Sequence, residues 1–290
     1  MDPRLDQGRW LRIPGPTPMH PDVVRALTHE MVPHRGQEVR ATMARIQPVA
    51  RAFHGTTTGR VLLWPGSGTA GFEAAIVNLL APGDRVVATV AGDFGDRFAR
   101  VGERLGLDVR RVEVEWGTAV CGDRLRDALE AHGDVRAVFL THNETSTGVT
   151  QPLAELAAAA REAGALVLVD AVSSAGAIEI RMDEWGLDWV LSGSQKAWMC
   201  PPGLMISAVS ERALATARDQ RGFPRFFWDV VMMAEAADEH HHPTTSPLTS
   251  IFAFDAALSA MQREGREAIF ARHARLAAHV REGLRALGLR

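Results

Sequence analysis

The sequence predicts an open, mainly parallel α/β sheet with helices as its crossovers. Seven short apolar runs follow one another from residue 60 onward, at 61–64, 85–90, 109–114, 137–141, 165–170, 189–192 and 204–209. Most are hydrophobic on successive rather than alternate residues, the pattern of strands buried on both faces. Amphipathic segments rich in Ala, Leu, Arg and Glu, such as 153–163, separate the runs and suit crossover helices. In such sheets ligands bind beyond the carboxyl ends of the strands, so chemistry is expected in the residues just after each run.

Residues 1–20 contain Ile13-Pro14-Gly15-Pro16-Thr17-Pro18, too rich in proline for a helix or a central strand, and are expected as an extended N-terminal arm. Helix is expected over 21–54, with Pro21 suited to a first turn and a break near Pro33-His34-Arg35-Gly36. Past residue 250 a helical region runs on. There Leu276, Val280, Leu284 and Leu287 fall at i, i+4, i+8 and i+11, one apolar stripe.

At 290 residues the chain holds one large domain or two smaller ones. A net charge of -3 gives no electrostatic argument for nucleic acid or an anionic membrane as partner. Cys121 and Cys200 form no CxxC and no disulfide framework, which favours a reducing compartment. With no apolar leader at Met1 and no run of membrane-spanning length, a cytoplasmic location is expected.

Of the 32 Lys and Arg residues, 31 are arginine, and the one lysine is Lys196, after the sixth run. A chain that uses arginine wherever positive charge suffices has kept one primary amine. Such an amine loses its proton when desolvated and attacks carbonyls, whereas a guanidinium stays charged. The other strand ends supply further groups. Gly66-Ser67-Gly68-Thr69-Ala70-Gly71 precedes a helix expected from Phe72, and reads as a phosphate cradle at a helix N-terminus or as a tight turn. It also matches GxGxxG, with Asp93 near the spacing of a ribose-binding acid. Phe94, between Gly92 and Gly95, either stacks on a planar ligand or folds back onto the sheet. Thr141-His142-Asn143-Glu144-Thr145-Ser146-Thr147-Gly148 offers hydroxyl and amide groups that bond a ring substituent or cap turns. Asp170 ends the fifth run and needs a cationic or donor partner, unless it caps a helix. An amine and an acid on neighbouring strand ends are the two groups a pyridoxal phosphate site requires. One forms the Schiff base and the other keeps the pyridine nitrogen protonated.

With Pro14-Gly15-Pro16-Thr17-Pro18, Gly66-Ser67-Gly68-Thr69, His142-Asn143-Glu144-Thr145-Ser146-Thr147-Gly148, Val169-Asp170-Ala171-Val172-Ser173-Ser174 and Ser192-Gly193-Ser194-Gln195-Lys196, the chain resembles the class V, fold-type I pyridoxal-phosphate aminotransferases. It is most similar to their alanine–glyoxylate/serine–pyruvate branch, over residues 11–290. The resemblance implies a three-layer α/β/α large domain at 21–255 around the seven-stranded sheet. At 256–290 it implies the helical start of a C-terminal small domain that is otherwise largely absent. Lys196 is implied as the Schiff-base lysine and proton shuttle, and Asp170 as the partner of the pyridinium. Ser67, Gly68 and Thr69 are implied as phosphate ligands with Gln195 assisting, Thr145 on the ring's phenolate oxygen, and Phe94 over the ring. Thr245, in His242-Pro243-Thr244-Thr245-Ser246-Pro247, is implied to reach the phosphate of a neighbouring subunit, so a homodimer with shared sites is expected. Two departures stand out. Relatives often carry Tyr near Thr245, whereas this chain has no Tyr and His242 takes that place. The arginine that grips the substrate carboxylate in relatives belongs to the small domain, beyond Arg290, and Arg35 is a further candidate for that contact.

The resemblance implies transfer of an amino group from alanine or serine to glyoxylate or pyruvate. Other class V chemistry, a desulfurase or lyase, is disfavoured by Gln195, where that branch carries His. A truncated, non-catalytic cofactor-binding chain is an alternative. A nicotinamide-dependent oxidoreductase built on 66–71 leaves Lys196 and Asp170 without a role. His240-His241-His242 is not expected to bind a metal, because adjacent histidines on an extended loop do not converge on one ion.

Overall fold

The computed structural model describes residues 11–289. In chain order the strands are β1 (Arg60–Pro65), β2 (Arg85–Val90), β3 (Asp108–Glu113), β4 (Ala137–Thr141), β5 (Asn143–Glu144), β6 (Val149–Thr150), β7 (Leu166–Asp170), β8 (Trp189–Gly193) and β9 (Leu204–Val209). Helices α1 (Pro21–Ala26) and α2 (Gln37–His54) precede them. Helices α3 (Gly68–Leu79), α4 (Asp93–Arg104), α5 (Gly122–His132), α6 (Leu153–Glu162) and α7 (Met182–Trp185) lie between them. Helices α8 (Glu211–Asp219), α9 (Val230–Asp238), α10 (Leu248–Glu264) and α11 (Arg266–Ala286) follow.

Seven strands form one sheet in the order β1-β9-β8-β7-β4-β2-β3, and β5 pairs only with β6. β9 alone runs opposite to the other six strands of the large sheet, so its pairings with β1 and β8 are antiparallel and the rest are parallel. Alternate residues of each central strand face opposite layers. Val61, Leu63, Val138, Leu140, Val167 and Val169 pack with Ile46, Phe53, Leu156 and Phe254 of α2, α6 and α10. Leu62, Trp64, Leu168, Trp189 and Leu191 pack with Ile76 and Leu214 of α3 and α8. On that second face Phe72, Phe98 and Phe139 form a stack with centroid separations of 4.4 and 4.2 Å. This is the α/β/α sandwich implied by successive apolar residues in each run. The edge strand β3 is the exception. It buries only Val112 and exposes Asp108, Arg110 and Glu113, charge that protects an open edge.

Differences from the sequence expectation have local causes. Helix α3 begins at Gly68, not Phe72, with Ser67 as its N-cap. The small residues of its first turn let it press on the sheet: a Cβ at Gly71 would lie 3.2 Å from Leu191 Cβ. The break between α1 and α2 covers 27–36, wider than the Pro33 motif alone suggests. The expected domain boundary at 255/256 falls inside α10, whose Phe254, Ala257, Leu258 and Met261 are all buried in one core. The helical path is interrupted instead at Gly265, with φ of 91°. On α11 the stripe Leu276, Val280, Leu284 and Leu287 is exposed. Among the described residues no helix is long and apolar enough to cross a membrane.

Candidate active site

Lys196 stands on the turn that follows β8. The turn is fixed from beneath: Trp198 is fully buried and its indole N–H donates to Ser192 Oγ at 3.1 Å. Ser194 Oγ donates to the Pro201 carbonyl at 2.6 Å. The N-terminal arm then ties down the outer side. The Thr17 N–H donates to the Gln195 carbonyl at 3.0 Å and Thr17 Oγ1 to the Lys196 carbonyl at 2.9 Å. Gly15 lies directly on the lysine side chain, where a Cβ would stand 2.6 Å from Cδ and 3.0 Å from Nζ. Burial lowers the amine's pKa, and the Asp170 carboxylate partly opposes that.

Asp170 closes β7, in register with Thr141 of β4 and Leu191 of β8. It is 3% exposed, and its Oδ1 accepts the Val172 N–H at 2.8 Å. Burial pushes its pKa up to about 7, and the nearby Glu144 charge adds to the rise. The Val172 N–H, Lys196 and Arg97 pull the other way. A carboxylate in this state favours any cation placed against it. The loop after Asp170 also meets α3. A Cβ at Gly68 would lie 2.5 Å from Val172 Cγ2, so glycine lets the N-terminus of α3 approach the Asp170 loop. The Ser67 side chain does not cap that helix, and the Ser67 and Thr69 side chains are exposed. Their hydroxyls make no hydrogen bond to any described residue. Unpaired N–H groups and the helix dipole make this end a natural seat for an anion.

The opposite wall is the start of α4. Phe94 lies in its first turn, half-buried, with the Arg97 guanidinium 4.9 Å from the ring centroid. Neither reading of Phe94 from sequence placed it on a helix. The fully buried Glu144 of β5 organises this wall. Its carboxylate accepts the N–H of Phe94 at 3.1 Å, of Gly95 at 3.0 Å and of Ser146 at 3.1 Å. Ser146 Oγ donates to the same carboxylate at 2.6 Å and accepts the Asp93 N–H at 3.0 Å. Thr145, between these two residues, is half-buried, and its hydroxyl makes no hydrogen bond to any described residue.

The sequence model of the aminotransferase class-V family matches residues 19–290. The chain belongs to that family. A soluble hydrogenase small subunit of a Synechococcus species is 40% identical over 282 residues, covering 96% of this chain and 73% of the relative. An L-aspartate–glyoxylate aminotransferase of Paracoccus denitrificans is 39% identical over 286 residues, covering 96% and 71%. The crystal structure of an alanine–glyoxylate aminotransferase from a Nostoc species superposes with a TM-score of 0.89 at 33% identity, covering 98% of this chain and 78% of that one.

Within this class V aminotransferase, the strand order removes the dinucleotide reading of GxGxxG. In dinucleotide folds that turn follows a central strand flanked by parallel neighbours. Here it follows β1, an edge strand paired antiparallel with β9, and Asp93 follows β2 on the far side of the sheet. Asp93 is instead at the start of α4, 3.4 Å from Arg97 Nη2. The sequence candidates Lys196 and Asp170 interact electrostatically, and Gly68 packs against the Asp170 loop. Gln195 folds over Gly193, where a Cβ would lie 2.7 Å from Gln195 Oε1. Thr245 is exposed in the connection between α9 and α10, with no hydrogen bond from its hydroxyl to a described residue. Arg35 is exposed between α1 and α2. The neighbouring histidines are separately engaged: His242 Nδ1 lies 3.2 Å from the Thr244 N, and His241 Nε2 lies 3.2 Å from Glu239. Sequence reasoning missed Gly15, Arg97 and Glu144 as parts of the site. Unlike Asp170, which ends its apolar run, Glu144 follows polar His142 and Asn143 and carries no such signal.

Proposed function

We propose that this chain binds pyridoxal 5'-phosphate and transfers an amino group from a small amino acid, alanine or serine, to a 2-oxo acid, with glyoxylate before pyruvate. The observation that carries the reading is the placing of the chain's only lysine, just after β8, next to the buried Asp170 that closes the adjacent parallel strand β7. The residues present fit the group. Asp170 suits the protonated ring nitrogen, and the uncapped start of α3 with Ser67, Gly68 and Thr69 suits the phosphate, to which Gln195 is assigned as an assisting ligand. Phe94 suits the ring face, and the free hydroxyl of Thr145 the ring oxygen. The glyoxylate preference draws on the aminotransferase names of the Paracoccus relative and the Nostoc structure.

Bound pyridoxal phosphate supplies an aldehyde carbon for the amine and a cationic ring that accepts the electron pair released at the substrate Cα. Lys196 Nζ, with its pKa lowered, would serve as nucleophile and then as base, taking the proton from the substrate Cα and delivering it to the former aldehyde carbon beside the ring rather than back to Cα. The arm segment bearing Gly15 lies against the lysine side chain and limits where the amine can move. Asp170 holds positive charge at the ring nitrogen throughout. Thr245 of one subunit is assigned to the phosphate of its partner in a homodimer with shared sites. The large domain then ends at the α10–α11 break, with α11 opening a small domain. Cys121 and Cys200 are both free thiols, which fits a reducing cytoplasm.

The test is product formation by the cofactor-loaded protein. With alanine and glyoxylate, pyruvate and glycine are expected in equal amounts; with serine, hydroxypyruvate and glycine. Cofactor that stays bound while neither donor yields glycine contradicts this substrate assignment.

A further inference from the structure

The buried Glu144 is not needed as a ring contact, yet it touches everything that builds one wall of the site. The N-cap of helix α4 is Gly92, which has no side chain to cap it. Its first three N–H groups, from Asp93, Phe94 and Gly95, are satisfied from outside the helix by Ser146 and Glu144. The turn that supplies these acceptors also holds Thr147 Oγ1 on the Ala91 carbonyl at 3.2 Å. Gly92 makes room for it, since a Cβ there would lie 2.6 Å from Glu144 Cγ. One carboxylate therefore locks the 144–147 turn onto the 91–95 segment. It sets the distance between Phe94 on one and Thr145 on the other.

We propose that Glu144 is a positioning residue for the cofactor ring, which rests on the pyridoxal-phosphate reading above: its carboxylate clamps the first turn of α4 to the 144–147 turn so that Phe94 and Thr145 engage the same ring. A helix capped by its own side chain would hold its fold equally well. The trans clamp differs in coupling the helix start to a second strand end. Gln in place of Glu144 keeps size and one acceptor, but turns an N–H donor towards backbone N–H groups that need acceptors.

A double-mutant cycle tests this. Cofactor Kd and the induced circular dichroism of the bound near-visible band are measured for wild type, Glu144→Gln, Phe94→Ala and the double variant. Glu144→Gln is expected to raise Kd about tenfold and to weaken the induced band. In the Phe94→Ala background the same change is expected to add less than about twofold, because the clamp then has only the Thr145 contact left to place. Equal losses in both backgrounds overturn the proposal, as does an unchanged Kd and band in Glu144→Gln. If Glu144→Gln does not fold, Ser146→Ala, which removes the acceptor of the Asp93 N–H and one hydroxyl donor to the Glu144 carboxylate, is run through the same cycle. It is expected to give a smaller rise that also disappears without Phe94. Wild type that takes up no pyridoxal phosphate removes the functional reading and this proposal together. Wild-type binding with additive losses removes this proposal alone.

Discussion

Lys196→Arg is expected to abolish transamination while leaving the fold in place. The side chain is half-buried beside Gly15, so the charge is tolerated, but the guanidinium neither forms a bond to a carbonyl carbon nor releases a proton at working pH. Losing the general base alone costs about 10²–10⁴ in rate, and loss of the nucleophile adds to it, so a fall of at least about 10⁴ is expected. The measurement is steady-state glycine formation, with circular dichroism and thermal unfolding as fold controls. Retention of a tenth of wild-type rate by this variant contradicts the assigned role. Because the chain has no second lysine, no neighbour can stand in.

Asp170→Asn is expected to have the second-largest effect, with opposite consequences for catalysis and stability. Leaving a buried charge without its partner typically costs about 3–5 kcal/mol. Applied to the ring nitrogen, this converts to a rate loss of about 10²–10⁴. Stability of the cofactor-free protein moves the other way. The Asp170 pKa rises from 3.8 to about 7 on folding, so the folded state binds a proton that the unfolded state has lost between those values. The contribution is present at low pH and is lost as pH rises from about 4 to about 7. It amounts to about 4 kcal/mol at most, judged at 1.36 kcal/mol per pKa unit. The neutral amide removes this dependence. Asp170→Asn without cofactor is therefore expected to unfold at higher denaturant than wild type at pH 8, with the gap closing towards pH 4. A stability difference independent of pH contradicts the burial account.

The strands were legible because a doubly covered sheet writes itself as consecutive apolar residues. Expected and observed bounds coincide for β2, β4 and β9. β3 slipped by one residue, since an edge strand with one buried side chain carries little of that signal. The exposed stripe on α11 shows the limit of periodicity: it identifies a face, not what covers it. Lys196 and Asp170 were legible from rarity and position, an amine in a chain of arginines and an acid ending an apolar run. Gly15 was not, because its role is the absence of a side chain beside a lysine far along the chain. Glu144 was lost among polar neighbours, as no local pattern reveals that it caps a helix some fifty residues earlier. Phe94 was noticed as an oddly placed aromatic, but its helical setting depends on that same distant cap.

The most direct test of the central claim is borohydride reduction of the protein purified with pyridoxal phosphate, followed by peptide mass analysis. The account predicts a near-visible absorption band that reduction removes, with the added mass of the reduced cofactor on the peptide containing Lys196 and on no other. A folded protein that shows no such band and gains no mass at Lys196, even with excess pyridoxal phosphate, contradicts it.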